Sequence, residues 1–117
     1  MSESLSRVVT DALDELKARD VRVLDVGALT SIMDTMIVAS GTSDRHVRAL
    51  ADRVVEATRA SGVKPLGVEG ADQGEWVLVD LGDVVLHLMQ PQVREHYQIE
   101  KLWDSGRIGG GAVSERR

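Results

Sequence analysis

Three carboxylates, Asp34, Asp80 and Asp83, are the side chains of this 117-residue chain best suited to hold a divalent cation for phosphoryl or nucleotidyl transfer. A glycine-led turn, Gly41-Thr42-Ser43-Asp44, could cradle the phosphates at a helix N-terminus, with Arg45 and His46 beside it. The same residues have a plainer use. Thr42, Ser43 and Asp44 are all good N-cap types, the run matches neither GxGxxG nor the P-loop pattern, and capping is the weightier reading. Asp83 falls where a turn needs Asp for backbone reasons, and no Lys or Arg stands nearby to neutralise transferred phosphate. His46, His87 and His96 belong to different elements and lack HxH or HxxxH spacing, so a zinc site is not expected. No GxSxG supplies a nucleophile for His87, and the chain has no cysteine for a thiolate site or a disulfide. Neither a metal nor a cofactor is expected.

The element that must position Asp80, Asp83 and His87 is a β-hairpin. Two apolar runs, residues 76–81 and 84–89, flank Gly82-Asp83, the spacing and chemistry of a two-residue turn. That turn makes Trp76/Met89, Val77/Leu88, Leu78/His87, Val79/Leu86 and Asp80/Val85 cross-strand pairs, alternating between the two faces. One face is aliphatic throughout: Val77, Val79, Leu81, Val84, Leu86 and Leu88. The other carries Trp76, Leu78, Asp80, Val85, His87 and Met89. It is too apolar to stand bare and too polar for a sealed core, which predicts a contact surface.

Charge supports the same reading. The chain carries a net charge of −5. Residues 65–93 contain no Lys or Arg but do contain Glu69, Asp72, Glu75, Asp80 and Asp83, five negative charges that equal the whole imbalance. An acidic patch repels phosphate backbones and attracts basic proteins, so direct nucleic-acid contact through it is not expected. With Phe absent, Trp76, Tyr97 and Trp103 are the only aromatics. Trp76, set among carboxylates on the mixed face, has the composition of an interface anchor, whereas Trp103 reads as core filling.

The remaining elements follow from periodicity. Leu5, Val8, Val9, Ala12, Leu13 and Leu16 recur at helical spacing within residues 2–19, with Lys17 and Arg19 expected in the last turn. Residues 20–26 and the apolar run 36–39 read as strands. Val47, Leu50, Ala51, Val54 and Thr58 mark a second amphipathic helix closed by Gly62, and residues 65–68 a short edge strand begun by Pro65. Gln90-Pro91 opens a third helix, in which Val93, Tyr97, Ile99, Leu102 and Trp103 form no single stripe. The order αββαβββα predicts an α+β fold: a five-stranded mixed sheet with a β-hairpin and flanking helices. Residues 1–104 are expected to form one domain and 105–117 a flexible glycine-rich tail. No apolar run approaches bilayer length or signal-peptide form, so a cytoplasmic protein without membrane contact is expected.

The blocks DTMIVASGTSDRHV (34–47), Glu69-Gly70, WVLVDLGDVVLH (76–87) and REHYQIEKLW (94–103), in this order and spacing, resemble the ribosomal silencing factor family, also called Iojap-like. The resemblance covers nearly all the chain except its tail. It implies a nucleotidyltransferase-like arrangement without established transferase activity. It further implies binding to the large ribosomal subunit through ribosomal protein fourteen, which sterically hinders joining of the small subunit when nutrients are scarce. Glu69, Gly70, Trp76, Asp80, Gly82, Asp83, His87, Arg94 and Tyr97 occupy the family's characteristic positions and are the expected partner-binding residues; a homodimer is also implied as possible. The rival readings are a metal-dependent transferase and a homodimeric scaffold that spends the Trp76 face on self-pairing.

Overall fold

The computed structural model describes residues 2–102; Trp103 and the expected tail at 105–117 lie outside them. Helix α1 spans Ser2–Glu15 and strand β1 Arg19–Asp25. Strand β2 spans Thr35–Ser40 and helix α2 Asp44–Ala60. Strands β3 (Gly67–Glu69), β4 (Trp76–Asp80) and β5 (Val84–Met89) follow, then helix α3 (Pro91–Tyr97) and a 3₁₀ turn at Ile99–Leu102. The five strands form one sheet in the order β1-β2-β5-β4-β3. Only the central β2–β5 pair is parallel, so the sheet is mixed, as expected.

The hairpin register is the one the alternation dictates: Trp76 faces Met89, Leu78 faces His87, and Asp80 faces Val85. Gly82 holds φ +90° at the first central turn position, where a side chain would be strained. Every residue of β2 is buried, as befits a central strand covered on both sides.

Two layers of core result. On one face Val77, Val79, Leu86 and Leu88 pack with Ile37 and Ala39 of β2 against Val9, Ala12 and Leu13 of α1 and Val47, Leu50, Ala51 and Val54 of α2. On the other face Leu24, Val26, Met36, Val38 and Met89 gather beneath Val93, Ile99, Met33 and Trp76.

Helix α1 ends earlier than its periodicity suggests. It stops at Glu15, so Lys17 and Arg19 do not sit in its last turn. Lys17 takes φ +62°, its N–H donating to the Asp14 carbonyl at 3.0 Å, and the chain reverses into β1, where Arg19 already pairs with Ser40. Pairing with β2 overrides the helical tendency of residues 16–19. A register shift between Arg19 and Arg22, with Asp20 at φ +49°, marks a bulge there. The third helix also breaks. Gln98 adopts φ 49° and ψ 45°, and the chain resumes as the 3₁₀ turn, which is why its apolar residues form no single stripe.

Candidate functional site

The mixed face of the hairpin is half covered. Helix α3 and the 3₁₀ turn lie toward β1 and β2 and seal Met89 completely, so that residue leaves the expected contact surface. Over β3, β4 and the adjoining part of β5 the face is open. Leu78, Asp80, Val85 and His87 are half-buried there, and Glu69, paired opposite Leu78 on β3, is exposed. Glu69, Gly70, Trp76 and Leu78 line a shallow depression.

Trp76 borders this open region but does not project from it. Its indole N–H donates to His87 Nδ1 at 3.0 Å, and its ring lies 5.0 Å from that of Tyr97 at an interplanar angle of 49°. Tyr97 is the more exposed ring, at 57%, with His96 edge-on to it at 4.7 Å. Burial pushes the His87 imidazole down to about 4, so it is neutral at physiological pH. Gly70 is required beside the Trp76 backbone. It holds φ +88°, and a Cβ there would collide with the Trp76 carbonyl oxygen.

The carboxylates do not gather. Asp80 Oδ1 accepts the Gly82 N–H at 2.9 Å and shapes the turn. Asp83 acts through its carbonyl, which accepts from the N–H groups of Asp34 (2.8 Å) and Thr35 (3.0 Å) and ties the turn to β2. Among the described residues no cluster of three His, Asp or Glu side chains is placed to hold a metal. The Gly41–Asp44 turn is a cap. Ser43 Oγ accepts the His46 N–H at 3.1 Å, Asp44 Oδ1 accepts the Arg45 N–H at 2.8 Å, and His46 Nδ1 accepts the Thr42 N–H at 2.9 Å. With Nδ1 accepting, His46 Nε2 donates to the Leu16 carbonyl at 2.8 Å and clips α1 to α2. Three of the donors a phosphate would use, the N–H groups of Thr42, Arg45 and His46, are already engaged.

Arg94 faces inward. It forms a two-pronged pair with Glu100 (Nε–Oε1 3.1 Å, Nη2–Oε2 2.9 Å) and donates from Nη1 to Ser40 Oγ at 2.9 Å. The two side chains are 11% and 12% exposed, and Arg22 approaches Glu100 at 3.5 Å. The Arg94 hydrogen bonds hold the Glu100 carboxyl below its ordinary value. Arg94 therefore fastens α3 to the sheet. Sequence reasoning missed Glu100, because a six-residue separation puts no pair on one side of a continuous helix; only the break at Gln98 brings them together.

The geometry thus defines a class: a small α+β protein with one sealed sheet face and one half-open face fronted by aromatic rings and edged by the exposed Glu69, with Asp72 and Glu75 exposed in the loop that leads into β4. Comparison with known proteins gives the family. Residues 1–115 match the model described as "Ribosomal silencing factor during starvation". A ribosomal silencing factor of Chromobacterium violaceum is 48% identical over 101 residues, covering 86% of this chain and 83% of the relative. That of Haemophilus influenzae is 41% identical over 100 residues, covering 86% and 98%. A crystal structure of a Chromobacterium violaceum protein superposes with a TM-score of 0.86 at 44% identity, covering 97% of this chain and 89% of that one. The chain belongs to the ribosomal silencing factor family. A mouse relative, 34% identical over 99 residues, covering 82% of this chain and 43% of the relative, bears the name "Mitochondrial assembly of ribosomal large subunit protein 1".

Proposed function

We propose that this protein represses translation without catalysis: its half-open sheet face docks on ribosomal protein fourteen of the large subunit, and its bulk then blocks joining of the small subunit under nutrient limitation. The observation that carries this reading is the open ground over β3–β5, where half-buried Leu78, Val85 and Trp76 lie beside Glu69 and Asp80, in a stretch, residues 65–93, that carries five carboxylates and no Lys or Arg. Apolar ground of that kind supplies affinity, while the acidic fringe selects a basic protein and disfavours direct contact with ribosomal RNA. At the Gly41–Asp44 turn the N–H groups of Thr42, Arg45 and His46 are spent on capping, and among the described residues Asp34, Asp80 and Asp83 form no three-carboxylate cluster, which favours docking over nucleotide binding. On this reading the protein works in the cytoplasm, where its ribosomes are.

Sedimentation through sucrose gradients with separated subunits tests the proposal. The protein is expected to travel with the large subunit and not the small one, and to reduce subunit joining. Trp76→Ala should weaken that binding by at least about 2 kcal/mol, roughly thirtyfold, since it removes the aromatic at the edge of the open ground together with its bond to His87. Equal sedimentation with both subunits, or unchanged binding by a folded Trp76→Ala variant, would overturn the assignment.

A further inference from the structure

The Trp76–His87 pair fixes more than a packing contact. An indole N–H can only donate, so the ring nitrogen it meets, His87 Nδ1 at 3.0 Å, must be unprotonated. In a neutral imidazole the proton then resides on Nε2. No described residue accepts that proton, and the described residues do not seal Nε2 from solvent. The ring thus has one nitrogen satisfied inside the protein and a second offering a donor at the open face. His87 is held on the central strand β5, between Val38 of β2 and Leu78 of β4, so the donor's position is set by the sheet itself.

We infer that Trp76 is a positioning residue that locks His87 as its Nε2–H tautomer, and that this N–H donates to an amide carbonyl of the protein docked on the face. The inference rests on the docking reading above and names the chemistry of one of its contacts. The surroundings select the acceptor. Glu69 and Asp80 share the face, and Arg94 and Arg22, cations on that side of the sheet, are spent on Glu100, so a carboxylate or phosphate acceptor would be repelled. A neutral N–H beside apolar Leu78 and Val85 suits a neutral carbonyl, which loses little on leaving water if it gains this bond. The low basicity of the ring keeps the donor uncharged across the physiological range.

Two measurements on the full chain test this separately. Long-range proton–nitrogen NMR of the free protein should show His87 as a single Nε2–H tautomer. In Trp76→Phe, which keeps an aromatic ring but loses the indole donor, it should show a mixture. In binding to isolated large subunits, His87→Ala should lose about tenfold in affinity, and His87→Gln, whose amide reaches the Nε2 position, should recover most of it. Trp76→Phe should weaken binding severalfold in the native background and no further on top of His87→Ala. A mixed or Nδ1–H tautomer in the native protein, or a folded His87→Ala that binds normally, overturns the inference. Failure of the native protein to bind would sink the docking reading and its acceptor, while the tautomer spectrum would still decide the role of Trp76.

Discussion

Against the sheet face that carries Val77, Val79, Leu86 and Leu88, helices of 14 and 17 residues lay down a continuous aliphatic layer, and every one of those four residues is fully buried. Against the opposite face, among the described residues, lie a seven-residue helix and a short 3₁₀ turn. The first face is held by area, which is non-directional and grows with each methylene excluded from water. The second has less of it, from Val93 and Ile99 over Leu24, Val26, Met36, Val38 and Met89, and adds directional contacts: Arg94 bonds to Glu100 and Ser40 near β1 and β2, and Tyr97 packs on Trp76 beside the open ground. Directional fastening has a useful consequence. A short element pinned at chosen points can stop where it is, leaving the β3–β5 region uncovered, whereas a longer apolar helix would have spread across it.

Truncation on the sealed face should produce the largest effect. Leu86→Ala removes a fully buried side chain from the central strand β5 and should cost about 2–5 kcal/mol of stability. Leu78→Ala, on the half-open face, should cost about 1 kcal/mol, because its side chain already meets water and leaves no closed cavity. Denaturant titration of both variants measures the difference directly. Equal losses would mean that the two faces are held in the same way.

The fastening on the second face is tested by pH as well as by substitution. Arg94→Leu strands the Glu100 carboxylate in largely buried surroundings, with only Arg22 at 3.5 Å to answer it, and should cost about 2 kcal/mol at neutral pH. The Arg94 hydrogen bonds lower the Glu100 pKa below its ordinary 4.5. A depressed folded-state value means that this contribution is fully present above the unfolded pKa and is lost as pH falls through the folded one. Unfolding followed from pH 6 downward should therefore show the native protein and Arg94→Leu converging below about pH 4.5. A gap that stayed constant with pH would remove the ion pair as the fastening.

This contrast also marks what could be read from the chain alone. The hairpin register was legible because Gly82-Asp83 fixes the turn and strict alternation leaves one pairing that buries all the aliphatic residues together. Helix α2 was legible for a similar reason: Ser43 at its start and Gly62 after its end are local signals with local causes. The second face was not legible to the same degree. Its cover depends on a left-handed residue, Gln98, that no glycine or asparagine announces, and the Arg94–Glu100 pair exists only because of that turn. Lys17 reverses the chain after α1 in the same unannounced way. Among the residues expected to bind a partner, Glu69, Trp76, Asp80, His87 and Tyr97 come together on or beside the open face. Gly70, Gly82 and Arg94 instead shape the scaffold beneath and around it, and Asp83 holds its turn to β2 through its backbone. Types and spacing can nominate a polar residue; which way it points is decided by neighbours far away in sequence.

The smallest effect on stability should come from the rim of the open face, where the largest effect on association rate is expected. Glu69 ends the edge strand β3, is exposed, and faces Leu78 across the pair, so Glu69→Lys should change unfolding free energy by no more than about 0.5 kcal/mol. Its carboxylate belongs to the run of five negative charges that should draw in a basic partner from a distance. Reversing it changes the charge of that region by two units, which should slow association with the proposed partner, ribosomal protein fourteen, and flatten the dependence of that rate on salt, leaving dissociation nearly as before. Stopped-flow mixing at low and at physiological ionic strength separates the two rate constants. A variant that associates at the native rate at low salt would show that the acidic fringe does not steer docking. The half-open face would then have to be recognised by its apolar ground and the His87 donor alone.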